Sequence, residues 1–426
     1  MQVGKRQREN MSQDTPKSFR LHIGIFGRRN VGKSSLLNAI VRQQVSIVSE
    51  QAGTTTDPVE KPMELLPLGP VVFIDTAGVD DVGALGDLRI ARTRQVFDRT
   101  DLGVIVTDGA WGPFEGQILA ELRSREIPVI AVFNKADLGT PADEVPARLR
   151  GGGIPVAITD AVSRTGLDGL REAILDAAPQ DFVETPVIAA DLVGPGGVAV
   201  LVVPIDKEAP KGRIILPQVQ TIRDLLDHDG ISVVVREHQL GDALAMLRQR
   251  PALVVTDSQA FAKVAAETPP DVPMTSFSIL YSRLKGDLVA QTQGLLAVED
   301  LRPGDRVLVA EACSHHPIGE DIGRVKIPRW LNERVGGELN FTTVQGRDFP
   351  DDPSGFKLVI HCGACMWNRR QMLSRLMRCH RAGVPITNYG LVIAYSLGIL
   401  ERALGPFAAA RAAYAQRLQE RQRACR

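Results

Sequence analysis

Three short stretches of this sequence gather side chains that could do chemistry. EACSHHP carries Cys313, His315 and His316, and VIHCGACMWN carries His361, Cys362 and Cys365. Two cysteines spaced C-x-x-C, a third cysteine and neighbouring histidines suit zinc or an iron–sulfur cluster. Zinc fingers separate their ligand halves by about 12–20 residues. The longer gap here argues against a finger but not against zinc. Three thiolates would leave one iron of a cubane without a cysteine, and such an open position suits exchange chemistry better than a closed structural site. The third stretch, GIFGRRNVGKSSLLN, contains Gly27-x4-Gly32-Lys33-Ser34, the pattern of a phosphate-binding loop.

That loop stands between an apolar strand, LHIGIF (21–26), and a helical pattern, SLLNAIV. Its glycines let backbone N–H groups turn onto phosphate oxygens, and the helix start adds partial positive charge. Lys33 reaches the β- and γ-phosphates, and Ser34 ligates Mg2+. The nucleotide-binding set read from the loop is Gly27, Asn30, Val31, Gly32, Lys33, Ser34 and Ser35. Further along, VVFIDTAGV places Asp75 at a strand end, where a carboxylate holds Mg2+ through water, and Gly78 where its N–H meets the γ-phosphate. EQAGTTTDP offers Thr55 to close over Mg2+ and the γ-phosphate. AVFNKADL supplies Asn134, Lys135 and Asp137, and a carboxylate at Asp137 accepts two hydrogen bonds that guanine offers and adenine lacks. Ala161, in AITDAVSRTG, offers its N–H to the guanine carbonyl, although Asp160 stands before it where a serine is usual. Four such elements in this order predict a GTP/GDP-binding domain.

Two positions bear on hydrolysis. Val79 follows DTAG where Ras-like enzymes carry a water-orienting glutamine. Asn30 resembles the asparagine of the potassium-activated GTPases related to the tRNA-modification GTPase family, where it ligates K+ in place of an arginine finger. That resemblance implies slow, K+-stimulated turnover. It also places Asp87 at the water-orienting acid, with Asp80 and Asp81 as rivals. The catalytic set is therefore Lys33, Thr55, Asp75, Gly78 and Asp87.

These side chains need elements to position them. RVLVAEA (306–312), FKLVIH (356–361) and GVPITNYG (383–390) read as strands that end in the cysteine and histidine stretches and in Asn388-Tyr389. Parallel strands of one sheet would bring all three ends to one edge, where open α/β sheets gather ligands. Cys313 would then meet Cys362 and Cys365, with Asn388 and Tyr389 as supporting groups. Between the two sites, GVAVLVVPI and GRIIL read as strands, and PQVQTIRDLLDHDG as a helix whose face is Val219, Ile222, Leu225 and Leu226. His228 and His238 are isolated there, and the small α/β unit reads as an interaction module that forms a homodimer.

The fold class expected is α/β: a P-loop GTPase domain at 19–180, a small dimerisation domain at 183–268 and a metal-binding domain at 270–405. A disordered leader at 1–18 and an Arg-rich tail at 406–426 flank them. A chain of 426 residues agrees with about three domains. Lysine plus arginine equals aspartate plus glutamate at 50 each, so no global field draws in nucleic acid or an anionic membrane. The longest uncharged run, 192–205, falls short of the roughly 18–20 apolar residues a spanning helix needs. With no apolar signal segment at the start and only 5 cysteines, a cytoplasmic protein is expected. Cys379, on a helical pattern, and Cys425, in the tail, are read as packing and incidental.

Taken together, the chain resembles the FeFe-hydrogenase maturation GTPase family, HydF. The likeness runs from about 20 to 405. It rests on the GTPase set with Asn30 and DTAGVDD, on APKGRIILPQVQTIRDLLD, on TSFSIL and KGDL, and on EACSHH and IGRVKIPRW. Above all it rests on Cys313, His315, His361, Cys362 and Cys365 in C-x-H-x45-H-C-x-x-C. The resemblance implies a 4Fe–4S cluster on the three cysteines, with His315 and His361 in the same motif. It implies a scaffold or carrier for a transient diiron precursor that two radical-SAM maturases help build and apo FeFe-hydrogenase receives. The alternative is a zinc-stabilised, potassium-dependent GTPase of RNA modification or ribosome assembly. An aromatic content of 5% and the zero net charge count against it.

Overall fold

The computed structural model describes residues 17–42, 59–65, 68–76, 95–139, 141, 144–179, 187–204, 214–312, 321–346 and 348–424. Thr55, Gly78, Val79, Asp80, Asp81, Asp87, Cys313, His315, His316 and Cys425 lie outside them. The chain divides into two compact units, 1–179 and 180–426.

The first unit is built on a six-stranded sheet of order β2-β3-β1-β4-β5-β6. Its strands are β1 (Leu21–Phe26), β2 (Val59–Leu65), β3 (Gly69–Asp75), β4 (Leu102–Thr107), β5 (Val129–Phe133) and β6 (Val156–Ile158). Only β2 runs antiparallel, paired with β3. β1, β4 and β5 are buried along their whole length, as continuous apolar strands covered on both faces must be. Helices α1 (Lys33–Arg42), α2 (Pro113–Ser124), α3 (Glu144–Gly151) and α4 (Leu167–Ala177) fill the crossovers. This is a doubly wound P-loop architecture with its loops at the strand ends.

The second unit holds two parallel four-stranded sheets. In the first, of order β10-β9-β7-β8, the strands are β7 (Val198–Val202), β8 (Ile231–Val235), β9 (Leu253–Thr256) and β10 (Met274–Ser276). Met274–Ser276 thus pairs with the middle sheet, although it follows the 183–268 span read from the sequence. Around this sheet lie α5 (Ala190–Val193), α6 (Leu216–Asp227), α7 (Leu240–Met246) and α8 (Phe261–Glu267). The run read as the strand GRIIL does not form one in its described part: Ile214 and Ile215 are irregular and Leu216 opens α6.

α6 is also turned from the orientation its apolar residues suggest. Its buried side is Pro217, Gln218, Thr221, Asp224 and Leu225, while Val219 is 45% and Leu226 59% exposed. Polar bonds cause this rotation. Asp224 accepts from the N–H groups of Ile188, Ala189 and Ala190 at 3.0, 2.8 and 2.9 Å. Gln218 Nε2 donates to Asp257 at 2.6 Å, and its Oε1 accepts from Ile215 N at 3.1 Å. Fully partnered polar groups bury at little cost, so they share the buried side with Leu225, and Val219 and Leu226 are left outward. Ile231 and Val234 of edge strand β8 are outward as well, at 50% and 45% exposure.

In the second sheet the order is β12-β11-β13-β14, from β11 (Arg306–Glu311), β12 (Asn340–Gln345), β13 (Leu358–His361) and β14 (Ile386–Asn388). All pairings are parallel, as expected from the sequence. α9 (Phe277–Lys285) and α10 (Leu288–Leu295) precede it; α11 (Ile327–Val335), α12 (Arg369–Arg381), α13 (Tyr389–Ser396), α14 (Leu400–Leu404) and α15 (Ala408–Ala424) interleave with and follow it. Among the described residues no helix is long and apolar enough to cross a membrane.

α10 reaches β14 through Gly294. A Cβ built there would stand 2.2 Å from the Ile386 carbonyl oxygen and 2.9 Å from its carbon. Backbone cannot yield as a side-chain tip does, so Gly294→Ala should destabilise the second unit by about 1–3 kcal/mol. Chemical denaturation would show a lower midpoint, and an unchanged midpoint would refute this packing.

Candidate functional site

The phosphate loop leaves β1 at Gly27, where a Cβ would meet the Val106 carbonyl oxygen at 2.2 Å. Gly32 is in the left-handed region at φ +92°, with Asn134 Nδ2 2.3 Å from where its Cβ would stand. Asn30 is left-handed too, at φ 64°, a conformation asparagine tolerates better than most residues. Lys33 Nζ lies inside the loop and donates to the carbonyls of Gly27 at 2.8 Å and Arg28 at 2.6 Å. Val31 is buried, whereas Asn30, Ser34 and Ser35 face solvent.

Ser34 Oγ donates to Asp75 Oδ2 at 2.6 Å, so a hydroxyl and a carboxylate meet at the strand end. Burial raises the Asp75 pKa, while the Ser34 hydrogen bond and the charge of Lys33 pull it down. These hard oxygen donors suit Mg2+. Asn134 joins the guanine loop to the phosphate loop: Nδ2 donates to Val31 O at 3.0 Å, and Oδ1 accepts from Thr159 Oγ1 and Ala161 N, each at 3.2 Å. Ala161 N–H is therefore spent on Asn134 here. Lys135 reaches toward Asp108 at 3.5 Å, and Asp137 is exposed, its carboxylate open to a base. Asp160, the odd residue of this loop, caps it by accepting from Val162 N at 2.9 Å and Ser163 N at 3.1 Å. Hydrogen bonds from Ser163 and Val162 hold its carboxyl below the ordinary value.

The thiolate loop leaves β13 at the same edge where β11 and β14 end. Ala310 pairs with His361, and His361 with Asn388. Ala312 N, just past β11, donates to Cys362 Sγ at 3.1 Å. Cys362 and Cys365 are half-buried thiols outside any disulfide, and Ala364 between them is left-handed at φ 52°. Burial pushes the Cys365 thiol up, and Lys285 opposes it. Cys379 is different: fully buried in the core under the sheet, its thiol is pushed up to about 12, and it is inert packing.

His361 is fully buried and both its ring nitrogens are engaged. Arg375 Nη1 donates to Nε2 at 2.7 Å, so the proton sits on Nδ1, which donates to Cys362 O at 2.7 Å. Burial and the adjacent guanidinium push its pKa down to about 3, against the bond to Cys362 O. Expected from the sequence as a candidate metal ligand, His361 is here hydrogen-bonded at both ring nitrogens, to Arg375 and to Cys362 O. Arg375 stacks on Trp367 at 4.0 Å and Phe349 at 4.5 Å and also holds Gly346 O.

Asn388 caps α13 by accepting from Gly390 N at 2.7 Å and also accepts from Ser278 Oγ at 3.0 Å. Its Nδ2 is buried and has no partner among the described residues, a donor left over at the thiolate edge. Tyr389 O–H donates to the buried Glu311 at 3.4 Å, and burial followed by the charge of Cys362 holds its pKa well up. Among the described residues no group of three His, Cys, Asp or Glu is arranged for a metal; Cys313 and His315 fall outside them.

Three family models match in succession. Residues 22–135 match a 50S ribosome-binding GTPase domain, 188–286 the hydrogen maturase F dimerization domain, and 289–406 the hydrogen maturase F tetramerization domain. The chain belongs to the HydF family of hydrogenase maturation GTPases.

Other likenesses concern the GTPase part of this HydF chain. The tRNA modification GTPase MnmE of Syntrophotalea carbinolica is 36% identical over 155 residues, covering 36% of this chain and 33% of that one. MnmE of Parasynechococcus marenigrum is 38% identical over 162 residues, covering 37% and 33%. The chain thus spans about a third of the length of these curated relatives. Among solved structures, Era of Aquifex aeolicus bound to GDP·AlF4 is 28% identical with a TM-score of 0.32, covering 37% of this chain and 56% of that one. The G domain of the T. maritima FeoB iron transporter is 23% identical with a TM-score of 0.30, covering 37% and 98%. At those scores the two structures add nothing to the assignment.

The sequence missed two residues at the HydF thiolate loop. Lys285 Nζ donates to Cys365 O at 3.2 Å and to Trp367 O. Arg375 hides among the arginines of α12, yet Met372, Arg375 and Cys379 follow helical spacing and all three are buried. An arginine on that stripe was the available signal.

His361 gives a pH prediction. Its folded pKa, about 3, lies below the unfolded 6.5, so protonation favours unfolding. Stability is complete above about pH 6.5 and falls as pH drops toward 3, by up to about 1.4 kcal/mol per unit. With Trp111→Phe in place, Trp330 and Trp367 fluorescence should report unfolding of the second unit with this slope. His361→Gln should remove that part of the slope, and an unchanged slope would refute the neutral, buried assignment.

Proposed function

We propose that this HydF-family chain binds and hydrolyses GTP and is a scaffold or carrier that holds a 4Fe–4S cluster on Cys313, Cys362 and Cys365. From there a transient diiron precursor passes to apo FeFe-hydrogenase, after assembly with the help of radical-SAM maturases. The observation that carries this reading is the bond from Ala312 N to Cys362 Sγ at the shared carboxyl edge of β11 and β13. Ala312 directly precedes Cys313 in sequence. The residues fit such a group: soft thiols outside any disulfide, a backbone N–H already on a sulfur, and a leftover buried amide donor at Asn388. N–H donors to sulfur are among the groups that tune iron–sulfur potentials. When bound, the cluster supplies an iron site open to exchange.

Mg2+ is assigned to Ser34, Thr55 and, through water, Asp75, and K+ to Asn30. GTP acts as a timer: ordering of the segments around Thr55 and Gly78 changes a surface that partners read. Self-association agrees with the outward apolar side of α6 and β8 in the region that matches the dimerization model, and a homodimer is assigned there.

Anaerobic reconstitution with iron and sulfide, followed by metal analysis and EPR of the reduced protein, tests the cluster. A 4Fe–4S signal that is lost or strongly reduced in Cys362→Ala is expected. Tightly held zinc with no cluster would overturn the scaffold reading. GTP turnover should be faster in KCl than in NaCl, and Asn30→Ala should abolish the difference; equal rates in both salts would remove the K+ assignment. Leu226→Asp should shift sedimentation toward monomer, and an unshifted dimer would place the interface elsewhere.

A further inference from the structure

The helix beneath the thiolate loop belongs to a different part of the chain than the thiols. α9 lies within the residues that match the dimerization model, 188–286, while Cys362 and Cys365 lie within the next match, 289–406. α9 starts from a cap in which Ser276 Oγ accepts from Ile279 N at 3.2 Å, and all but two of its residues are buried. At its start Ser278 donates to Asn388, and midway Tyr281 O–H donates to Gln220 of α6 at 2.8 Å. It ends in Lys285, which is only 2% exposed.

A buried amine needs acceptors: Lys285, whose pKa burial brings down to about 7, donates to Cys365 O and Trp367 O on the far side of the loop. The charge also lies 5.6 Å from the centre of the Tyr281 ring. Between β13 and α12 the loop turns through left-handed Ala364, a conformation that costs an alanine about 1 kcal/mol or more. Something must hold that turn.

We propose that Lys285 is a positioning residue of the thiolate loop. By holding the carbonyls of Cys365 and Trp367 from α9, it fixes the turn that presents Cys365 and, in its protonated form, sets one positive charge beside the sulfur. The thiol site is thus completed by a helix of the dimerisation segment. The clamp stands on the geometry alone; the effect of the charge on a cluster rests on the cluster reading above.

Full-length Lys285→Met, Lys285→Gln and Lys285→Arg chains test it. Methionine removes donor and charge, glutamine keeps a donor without the charge, and arginine keeps both. In the metal-free protein, hydrogen exchange of peptides spanning 363–368 should be faster in the methionine variant and near wild type in the arginine variant. Unchanged exchange in the methionine variant would overturn the clamp. In reconstituted protein, reduction adds negative charge, which a nearby cation stabilises. Measured at about pH 6, below the Lys285 pKa of about 7, the midpoint potential should therefore fall in the methionine and glutamine variants and hold in the arginine variant. Equal potentials in all four chains would overturn the charge role. If wild type takes up no iron, the cluster reading fails while the exchange result still decides the clamp. If the methionine variant fails to fold by circular dichroism, the glutamine variant carries both measurements.

Discussion

The hydrogen bond from Arg375 to His361 organises the C-terminal site. A guanidinium cannot give up its charge, so the imidazole nitrogen facing it must be an acceptor and the ring must stay neutral. That places the proton on Nδ1 and commits it to Cys362 O. One bond therefore sets the tautomer, the exit of the chain from β13 and the start of the thiolate loop. To bind a metal, His361 would have to abandon Arg375 deep in the protein, at a cost of order 1–3 kcal/mol or more for a charged donor.

Both candidate sites use one topological device. Parallel strands end together, and the backbone that leaves them turns in conformations ordinary residues avoid: Gly27, Asn30 and Gly32 at the nucleotide loop, Ala364 at the thiolate loop. Each turn is then held by a buried polar side chain from elsewhere in the same unit. Asn134 ties Val31 to Ala161 in the first, and Lys285 and Arg375 tie residues 346–367 in the second. The strands deliver the chemistry, while these cross-bonds set its geometry.

Much of this was legible in the sequence. Continuous apolar strands ending in Gly27, Asp75, Asn134 and His361 announce parallel sheets with loops at one edge, and the motif spacing marks the first of those edges for phosphate. What escaped was decided by polar partners far along the chain. Apolar spacing put Val219 and Leu226 inward, but Asp224 and Gln218 have bonding partners that turn α6 the other way. His361 sits in a metal-like motif, and only the fold shows that Arg375 has claimed its second nitrogen. Lys285 drew no reading from the sequence, because nothing local says that two carbonyls lie about 80 residues later. Asp160, where a serine is usual, caps the loop by accepting from Val162 N and Ser163 N.

The most direct test of the neutral, hydrogen-bonded His361 is nitrogen hyperfine spectroscopy on the reduced, reconstituted protein. The wild-type spectrum should contain no strong 14N coupling that depends on residue 361, and His361→Gln should leave the nitrogen region unchanged. A strong 14N coupling in wild type that disappears in His361→Gln would show the imidazole on iron, and would contradict the Arg375–His361 bond on which this account of the site is built.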